Sequence, residues 1–167
     1  MDKTAVIILH YQNPADTLDC LMSLMDHEFR SDPFRIYVVL NSYEEKFAES
    51  VKSEFVNVKI LENYKNGGFA QGNNKGITYA LSEGNLYLIL LNNDTVASSR
   101  AIRNMVESAR MNEMAGLISP KIYFVRGFEY QGDRYTDEEK GRVIWYAGGK
   151  IDWNNVYASH VGVDEID

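Results

Sequence analysis

The chain has 167 residues, and its 17 Lys and Arg against 24 Asp and Glu give a formal net charge of −7. This acidic balance argues against general nucleic-acid binding, because phosphate backbones are bound by a basic excess. A single cysteine, Cys20, excludes an internal disulfide and a cysteine-based zinc cluster. The longest apolar runs, at residues 5–9 and 86–91, are far shorter than the roughly 20 residues that cross a bilayer. We therefore expect a cytoplasmic protein of one domain.

Strand-like segments alternate with helix-like segments up to about residue 125. Short, continuous apolar runs rich in branched residues are typical of strands that are buried on both faces of a sheet. Such runs lie at residues 5–9, 35–40, 58–61 and 86–91, and a further strand, interrupted by Pro120, is expected at 116–124. Apolar residues at helical spacing predict helices between them, at 14–25, 44–55, 69–83 and 99–112. This alternation predicts an α/β fold with a mostly parallel sheet flanked by helices.

Local signals predict how the helices begin and which faces they bury. Asn13 before Pro14 predicts a side-chain cap followed by proline in the first turn. The apolar face of the first helix is expected to consist of Leu18, Leu21, Met22 and Met25. The apolar face of the third helix is expected to consist of Phe69, Ile77, Ala80 and Leu81.

The pattern changes after residue 125. Residues 126–142 are polar and charged and are expected to form an exposed loop. Residues 143–146 and 150–153 flank the sequence Ala-Gly-Gly at 147–149, which predicts a hairpin between them.

Ligands of open parallel sheets bind beyond the carboxyl ends of the strands. The candidate site is therefore formed by the loops that follow the strands, at residues 10–13, 40–43, 62–72 and 92–95.

The sequence Asn92-Asn93-Asp94-Thr95 directly follows the most apolar strand. A carboxylate and an amide oxygen at this point can hold a divalent cation that also binds a diphosphate. The alternative is a turn in which Asp94 or Thr95 caps the next helix.

Residues 63–74 combine paired glycines with several asparagines at the start of a helix. Glycines there let backbone N–H groups approach an anion, and the amide side chains can bind a base or sugar. The glycines at 67, 68 and 72 match neither the dinucleotide-binding nor the Walker A pattern. The alternative is a plain strand–helix turn with Gly67 in the left-handed conformation.

Two aromatic clusters complete the candidates. Tyr11, next to His10 at the end of the first strand, could stack on a base, whereas His10 fits a satisfied strand-end residue better. The second cluster could bind a sugar or simply pack a hairpin, and it comprises Trp145, Tyr146, Gly148, Gly149, Asp152, Trp153 and His160.

Four motifs together resemble the family 2 glycosyltransferases of the GT-A fold, particularly the rhamnosyltransferase-like enzymes of surface-polysaccharide synthesis. They are VIILHYQNPADTLDCLMSL at 6–24, ENYKNGGFAQGNNKGITYAL at 62–81, YLILLNNDT at 87–95 and IWYAGGKIDW at 144–153. The resemblance covers about 150 residues in the family's order. It implies that residues 1–125 bind a nucleotide sugar, and that residues 126–167 form a loop, a hairpin and the start of the acceptor side of the same domain.

The resemblance also implies roles for individual residues. Asp94 would be the metal ligand of the family's Asp-x-Asp or Asn-x-Asp motif, holding Mg²⁺ or Mn²⁺ against the donor diphosphate. The metal's charge would stabilise the departing nucleoside diphosphate. The residues expected to bind the nucleotide sugar are His10, Tyr11, Asn41, Gly68, Asn73, Asn74 and Asn92.

Two departures from the family pattern qualify this interpretation. Leu40 stands where the family usually has an Asp that touches the base or ribose, so Asn41 would have to substitute for it. The general base that an inverting transfer needs is not recognisable, since Glu165 and Asp167 lie in a connecting stretch. We therefore expect the base to lie outside this chain, which would be a donor-binding fragment that is truncated at its C-terminus and inactive alone.

The expected partners are a UDP- or dTDP-sugar and a glycan or lipid-linked acceptor, with no nucleic acid. Exposed Trp145 and Trp153 would favour a homodimer. A longer enzyme could also bind the inner face of the membrane peripherally. The alternative function is a non-catalytic nucleotide- or sugar-binding module.

Overall fold

A computed structural model describes residues 3–25, 34–42 and 44–167. The chain forms two compact units, Met1–Arg110 and Met111–Asp167. In the first unit, strands and helices alternate along the chain. They are β1 (Thr4–His10), α1 (Pro14–Leu24), β2 (Phe34–Leu40), α2 (Glu45–Glu54), β3 (Val58–Glu62), α3 (Gly68–Ser82), β4 (Tyr87–Asn92) and α4 (Ala101–Met111).

The four strands of the first unit form one sheet in the order β3-β2-β1-β4. All three neighbouring pairs are parallel. Parallel neighbours require crossover connections, and the helices between the strands supply them. The predicted α/β fold with a mostly parallel sheet is therefore confirmed.

Strand β1 lies at the centre of this unit, and all seven of its residues are buried. Because successive side chains of a strand point to opposite faces, β1 contributes to two separate cores. Val6 and Ile8 pack with residues of α1, α2 and α4. Ala5, Ile7 and Leu9 pack on the other face with Ala80 of α3. The continuous apolar run in the sequence reflects this two-sided burial.

Helix α3 approaches the sheet closely because two glycines face it. A Cβ atom on Gly76 would lie 2.4 Å from Cγ2 of Ile7 and 3.0 Å from Cγ2 of Val39. A Cβ atom on Gly72 would lie 2.3 Å from Cδ1 of Leu9. Glycine at these two positions therefore sets the distance between α3 and the strand ends.

The predicted helix faces were partly wrong. In α1 the buried residues are Thr17, Cys20, Leu21 and Leu24. Met22 and Met25 are 60% and 40% exposed. In α3, Phe69 and Leu81 are also exposed, because the glycine-containing face packs on the sheet instead.

Helix α1 begins at Pro14 as expected, but Asn13 does not cap it through its side chain. Asn13 has a left-handed backbone, with φ of 50°, and its side-chain amide donates to Asp16.

The second unit contains short antiparallel pairs and one 3₁₀ helix, Gly132–Arg134. Its strands are β5 (Ile122–Tyr123), β6 (Ile144–Tyr146), β7 (Gly149–Asp152) and β8 (Tyr157–His160). The predicted hairpin was wrong in its pairing, because β6 pairs with β5 and β7 pairs with β8. The strand expected at 116–124 is also reduced to two residues.

The segment 126–142 is mostly exposed, as expected, yet two of its side chains are buried. The carboxylate of Glu129 accepts the backbone N–H groups of Gly127 and Gly141 at 2.9 and 2.7 Å. The hydroxyl of Tyr135 donates to the carbonyl oxygen of Asp164 at 3.2 Å. These bonds connect the segment to its surroundings, and its regular structure is the 3₁₀ helix Gly132–Arg134.

Exposed tryptophans are present in the second unit. Trp145 is 44% exposed and Trp153 is 79% exposed. The homodimer expected from these two side chains stays a prediction.

Glu83, which follows α3, forms hydrogen bonds to side chains of both β2 and β3. One carboxylate oxygen accepts from Arg35 at 2.9 Å and from the Tyr37 hydroxyl at 2.7 Å. The other accepts from Lys59 at 2.6 Å. The hydrogen bonds from Lys59 and Tyr37 lower the pKa of Glu83 to about 2.

Replacing Gly76 with alanine should destabilise the protein. Alanine gains up to about 1 kcal/mol in helix propensity, but overpacking against Ile7 and Val39 costs about 1–3 kcal/mol. We expect a lower free energy of unfolding in urea. Gly116→Ala is the control, because its Cβ would meet nothing within 4 Å. Equal stability of the two variants would contradict the close approach of α3.

Glu83→Gln should change how stability depends on pH. The folded pKa of about 2 lies below the ordinary value of 4.5, so the carboxylate stabilises the fold above pH 4.5. This contribution is lost as the pH falls toward 2. The variant should be less stable than wild type at neutral pH and should lose less stability on acidification. Urea unfolding across this range tests it, with the exposed Glu49→Gln as control. Parallel pH profiles for wild type and Glu83→Gln would refute the role of Glu83.

Candidate functional site

The carboxyl ends of the four parallel strands lie side by side. His10 pairs with Leu40 across β1 and β2, and Leu40 pairs with Glu62 across β2 and β3. On the other side of β1, Leu9 pairs with Asn92. The structure therefore brings together the loops after all four strands, which is where the sequence places its candidate residues.

Asn41 organises the asparagine-rich loop after β3. Its buried side-chain amide donates to Oδ1 of Asn66 at 2.8 Å and to the carbonyl oxygen of Gly68 at 3.3 Å. Its Oδ1 accepts from Nδ2 of Asn63 at 3.3 Å and from the backbone N–H of Gly67 at 3.4 Å. Because both ends of the amide are occupied, Asn41 holds the loop in place.

The start of α3 differs from the left-handed Gly67 of the plain-turn alternative. Gly68 has the positive φ, at 82°, whereas φ of Gly67 is −96°. The N–H of Gly68 donates to Oδ1 of Asn66 at 2.7 Å, so it is already used. The N–H groups of Phe69 and Ala70 lie in the first helical turn, where a helix supplies no acceptor of its own.

The two asparagines in α3 have different environments. Asn73 is buried and donates to the carbonyl oxygen of Phe69, one turn earlier, at 3.0 Å. Asn74 is exposed. Only Asn74 of this pair presents its amide to solvent.

The loop after β4 has an ordered backbone and exposed oxygen atoms. The hydroxyl of Thr95 donates to the carbonyl oxygen of Asn92 at 2.6 Å. Asn92 and Asp94 are exposed, while Asn93 donates from its amide to the hydroxyl of Thr17 at 3.0 Å. Helix α4 begins only at Ala101, so neither Asp94 nor Thr95 caps it.

His10 is fully buried and has a partner on each ring nitrogen. Nδ1 lies 2.7 Å from the hydroxyl of Thr17, and Nε2 lies 3.3 Å from a carboxylate oxygen of Glu44. The ring also stacks on Phe47 with a centroid distance of 4.1 Å. Burial lowers the pKa of His10, although the hydrogen bond and charge of Glu44 act in the opposite direction. The ring is therefore neutral at neutral pH.

Tyr11 and Leu40 have opposite environments at neighbouring strand ends. Tyr11 is 45% exposed and can meet a ligand. Leu40, where the family pattern usually has an aspartate, is fully buried in the core on the α1 and α2 face.

Three residues of this edge were missed by the sequence patterns. Thr17 and Glu44 contact His10, and the hydroxyl of Ser42 donates to Glu44 at 2.7 Å. A threonine on the buried face of α1 was the available signal. Its partner Asn93, however, lies 76 residues away in the sequence.

The second unit holds the other aromatic cluster. The ring of His160 lies edge-on to Trp145 and Tyr146, with centroid distances of 5.6 and 5.1 Å. The carboxylate of Asp152 accepts the backbone N–H groups of Asn154 and Asn155. Asp152 therefore stabilises the turn between β7 and β8.

The donor set at the β4 end fits a hard divalent cation. Such a cation is commonly held by one or two carboxylates together with substrate phosphates and water. Asp94 has an exposed carboxylate, and the exposed side chain of Asn92, two residues earlier in the sequence, has an amide oxygen. Among the described residues, no group of three or more His, Cys, Asp or Glu side chains is arranged to hold a metal.

Comparison with known proteins identifies the family. The model for "Glycosyl transferase family 2" matches residues 5–158. The chain belongs to glycosyl transferase family 2. Its mostly parallel sheet flanked by helices has the GT-A-like architecture expected of this family. A search of curated protein sequences gave no significant match.

Solved structures share the fold of this family 2 chain. Staphylococcus aureus TarS 1–349 in complex with UDP-GlcNAc has a TM-score of 0.56 and 17% identity, over 71% of this chain and 37% of that one. The complex of TarS 1–349 with UDP has a TM-score of 0.55 and 14% identity, over 83% and 52%. A 4-diphosphocytidyl-2C-methyl-D-erythritol synthase has a TM-score of 0.53 and 18% identity, over 78% and 67%. The chain thus spans about half or less of the length of these TarS structures.

In the described part of this family 2 chain, the helices are too short or too polar to cross a membrane.

Replacing Asn41 with aspartate should loosen the asparagine-rich loop. The carboxylate cannot donate to Asn66 and Gly68, and leaving a buried partner unpaired costs about 1–3 kcal/mol. Hydrogen exchange at the amides of Gly67 and Gly68 should become about tenfold faster or more. Asn57→Asp makes the same change at an exposed turn and should leave these amides unaffected. Unchanged exchange in Asn41→Asp would show that Asn41 does not hold the loop.

Proposed function

We propose that this chain is the donor-binding portion of a metal-dependent glycosyltransferase. It binds a UDP- or dTDP-sugar at the carboxyl edge of the sheet, and the sugar is transferred to an acceptor hydroxyl. The observation that carries the proposal is the position of Asn92 and Asp94. Both are exposed at the end of β4, on the same sheet edge as the asparagine-rich loop. Membership of glycosyl transferase family 2 and the fold shared with a UDP-GlcNAc-bound enzyme support it.

Exposure divides the site residues into two groups. Tyr11, Asn74, Asn92 and Asp94 are exposed and are the side chains that would contact the donor. His10, Asn41 and Asn73 are buried with partners, so they would act by shaping the loops. Gly68 supplies the left-handed turn that starts α3, and the free N–H groups behind it would face the diphosphate.

A divalent cation explains how an acidic protein binds an anionic donor. The chain has a net charge of −7, and the loop after β4 presents a carboxylate. When bound, Mg²⁺ or Mn²⁺ would neutralise charge on the diphosphate and stabilise it as a leaving group. Asp94 would hold the cation, and Asn92 would contribute its amide oxygen.

Asp167 is poorly suited to act as the general base of the transfer. Asp167 is paired with Lys121 at 2.5 Å and with the hydroxyl of Tyr123. The hydrogen bonds from Lys121 and Tyr123 lower the pKa of its carboxyl, and a base with a lowered pKa accepts a proton less readily.

We propose a glycan or lipid-linked hydroxyl as acceptor, inversion at the anomeric carbon, and a cytoplasmic role in polysaccharide synthesis.

Asp94→Ala should abolish the metal-dependent part of donor binding. Calorimetry of wild type with UDP, and separately with dTDP, should give tighter binding in Mn²⁺ than in EDTA. The variant should lose this gain, with at least about tenfold weaker binding in Mn²⁺, which corresponds to 1.4 kcal/mol.

Asp19→Ala is the matched control, because Asp19 is an exposed acidic residue on α1. It should bind like wild type. Equal Mn²⁺-dependent binding by wild type and Asp94→Ala would overturn the metal assignment. Tight binding by wild type that is independent of metal would favour the non-catalytic binding module.

A further inference from the structure

One face of α1 contacts the loop that carries Asp94 at three points. The hydroxyl of Thr17 accepts from the amide of Asn93 at 3.0 Å. The thiol of Cys20 lies 3.7 Å from the carbonyl oxygen of Asn92. The hydroxyl of Ser23 accepts the backbone N–H of Ala97 at 3.1 Å. These three residues are three apart in the sequence, so they lie along one face of the helix.

Thr17 differs from the other two because it joins this loop to a second one. The amide nitrogen of an asparagine side chain can only donate a hydrogen bond, so the Thr17 oxygen accepts the hydrogen bond from Asn93. The Thr17 hydroxyl hydrogen is then available for Nδ1 of His10, 2.7 Å away. With Nδ1 as acceptor, the neutral ring carries its proton on Nε2 and donates to Glu44. Because the carboxylate of Glu44 can only accept, it places the proton of the neutral ring on Nε2, and this tautomer makes Nδ1 the acceptor of Thr17.

Glu44 extends this chain of bonds to the end of β2. One of its oxygens accepts the hydroxyl of Ser42, just after β2, at 2.7 Å. Gln12 and Asn13 have left-handed φ values of 59° and 50°, a conformation that non-glycine residues rarely adopt. This turn directly follows Tyr11 and the buried, hydrogen-bonded His10.

The contacts of Thr17 exceed what helix packing requires. A buried threonine in a helix commonly bonds to a backbone carbonyl one turn earlier. Thr17 has no exposed surface, yet its hydroxyl is shared between the ring of His10 and the amide of Asn93. Without that hydroxyl, two polar groups at the sheet edge would lose their partner.

We infer that Thr17 is a positioning residue that couples the metal-bearing loop after β4 to the loops after β1 and β2. The coupling keeps Asn92 and Asp94 in register with Tyr11 on the donor-facing edge. This inference rests on the proposed function for its consequence, since the benefit is donor and metal binding. The hydrogen-bond chain itself can be tested without any ligand.

The first test compares Thr17→Val with Thr17→Ser. Valine keeps the shape but lacks the hydroxyl, whereas serine keeps the hydroxyl. Substituting a residue that orients a metal ligand typically changes the metal affinity by roughly 10–100-fold. We expect Thr17→Val to weaken Mn²⁺-dependent UDP binding within this range, and Thr17→Ser to restore it nearly to wild type. Thr4→Val is the control, because Thr4 is buried at the opposite end of β1 and should not alter binding.

The second test reads the hydrogen bonds directly. Long-range ¹H–¹⁵N NMR of the free protein should show His10 neutral and protonated on Nε2. In Thr17→Val the side-chain amide of Asn93 should shift, and backbone amides of residues 92–95 should exchange faster. A ring protonated on Nδ1 in wild type would overturn the inference, as would unchanged signals in the variant.

The two readouts separate failure of the inference from failure of the proposed function. If wild type binds neither UDP nor dTDP in Mn²⁺, the proposed function fails, and the NMR result still decides the hydrogen-bond chain. If wild type binds and folded Thr17→Val binds equally well, the positioning role is wrong. Should Thr17→Val not fold, Asn93→Ala removes the same bond from its other end. It should weaken Mn²⁺-dependent binding to a similar degree, and wild-type affinity in that variant would contradict the inference.

Discussion

The parallel pairing of β1 with β2 and β4 determines where the loops of the first unit meet. Strand β1 is buried on both faces and pairs along its length with a strand on each side. Parallel pairing puts the carboxyl ends of all neighbouring strands at one edge. Loops that are far apart in the sequence therefore meet, and the candidate site follows from this topology.

Buried polar groups then give that edge a definite shape. Asn41 uses both ends of its amide on the loop before α3, and His10 uses both ring nitrogens between Thr17 and Glu44. Such groups are costly to leave unpaired, so each network favours one arrangement of its loop. The exposed residues, Tyr11, Asn74, Asn92 and Asp94, are carried on backbone that these networks fix.

The sequence predicted the strands well and the helix faces less well. A continuous apolar run such as residues 5–9 has few alternatives to a strand buried on both faces. Helix α1 offers apolar residues on more than one side, and the face that packs is chosen by the sheet. As a result Leu24 is buried while Met22 and Met25 are exposed. The close packing of Gly72 and Gly76 on the sheet likewise depends on side chains of β1 and β2.

The site was predicted as a set of loops, but the roles within it required the fold. The residue types of Asn41, His10 and Asn73 suit contact with a ligand. Their burial and their hydrogen-bond partners, which only the fold reveals, favour a role in shaping the loops instead. Thr17 carries no motif, and its bond to Asn93 joins distant parts of the sequence. The hairpin at 143–153 was mispredicted because β6 pairs with β5, a partner that local turn signals do not reveal.

The central claim is that the edge formed by the ends of β1 to β4 binds a nucleoside diphosphate together with a divalent cation. Paramagnetic broadening by Mn²⁺ in the presence of UDP, followed by ¹H–¹⁵N NMR, tests it most directly. We expect the strongest broadening at residues 92–95, with further broadening at the start of α3, and a marked loss of both when UDP is omitted. Broadening centred on any other surface, or the same weak broadening with and without UDP, would contradict it.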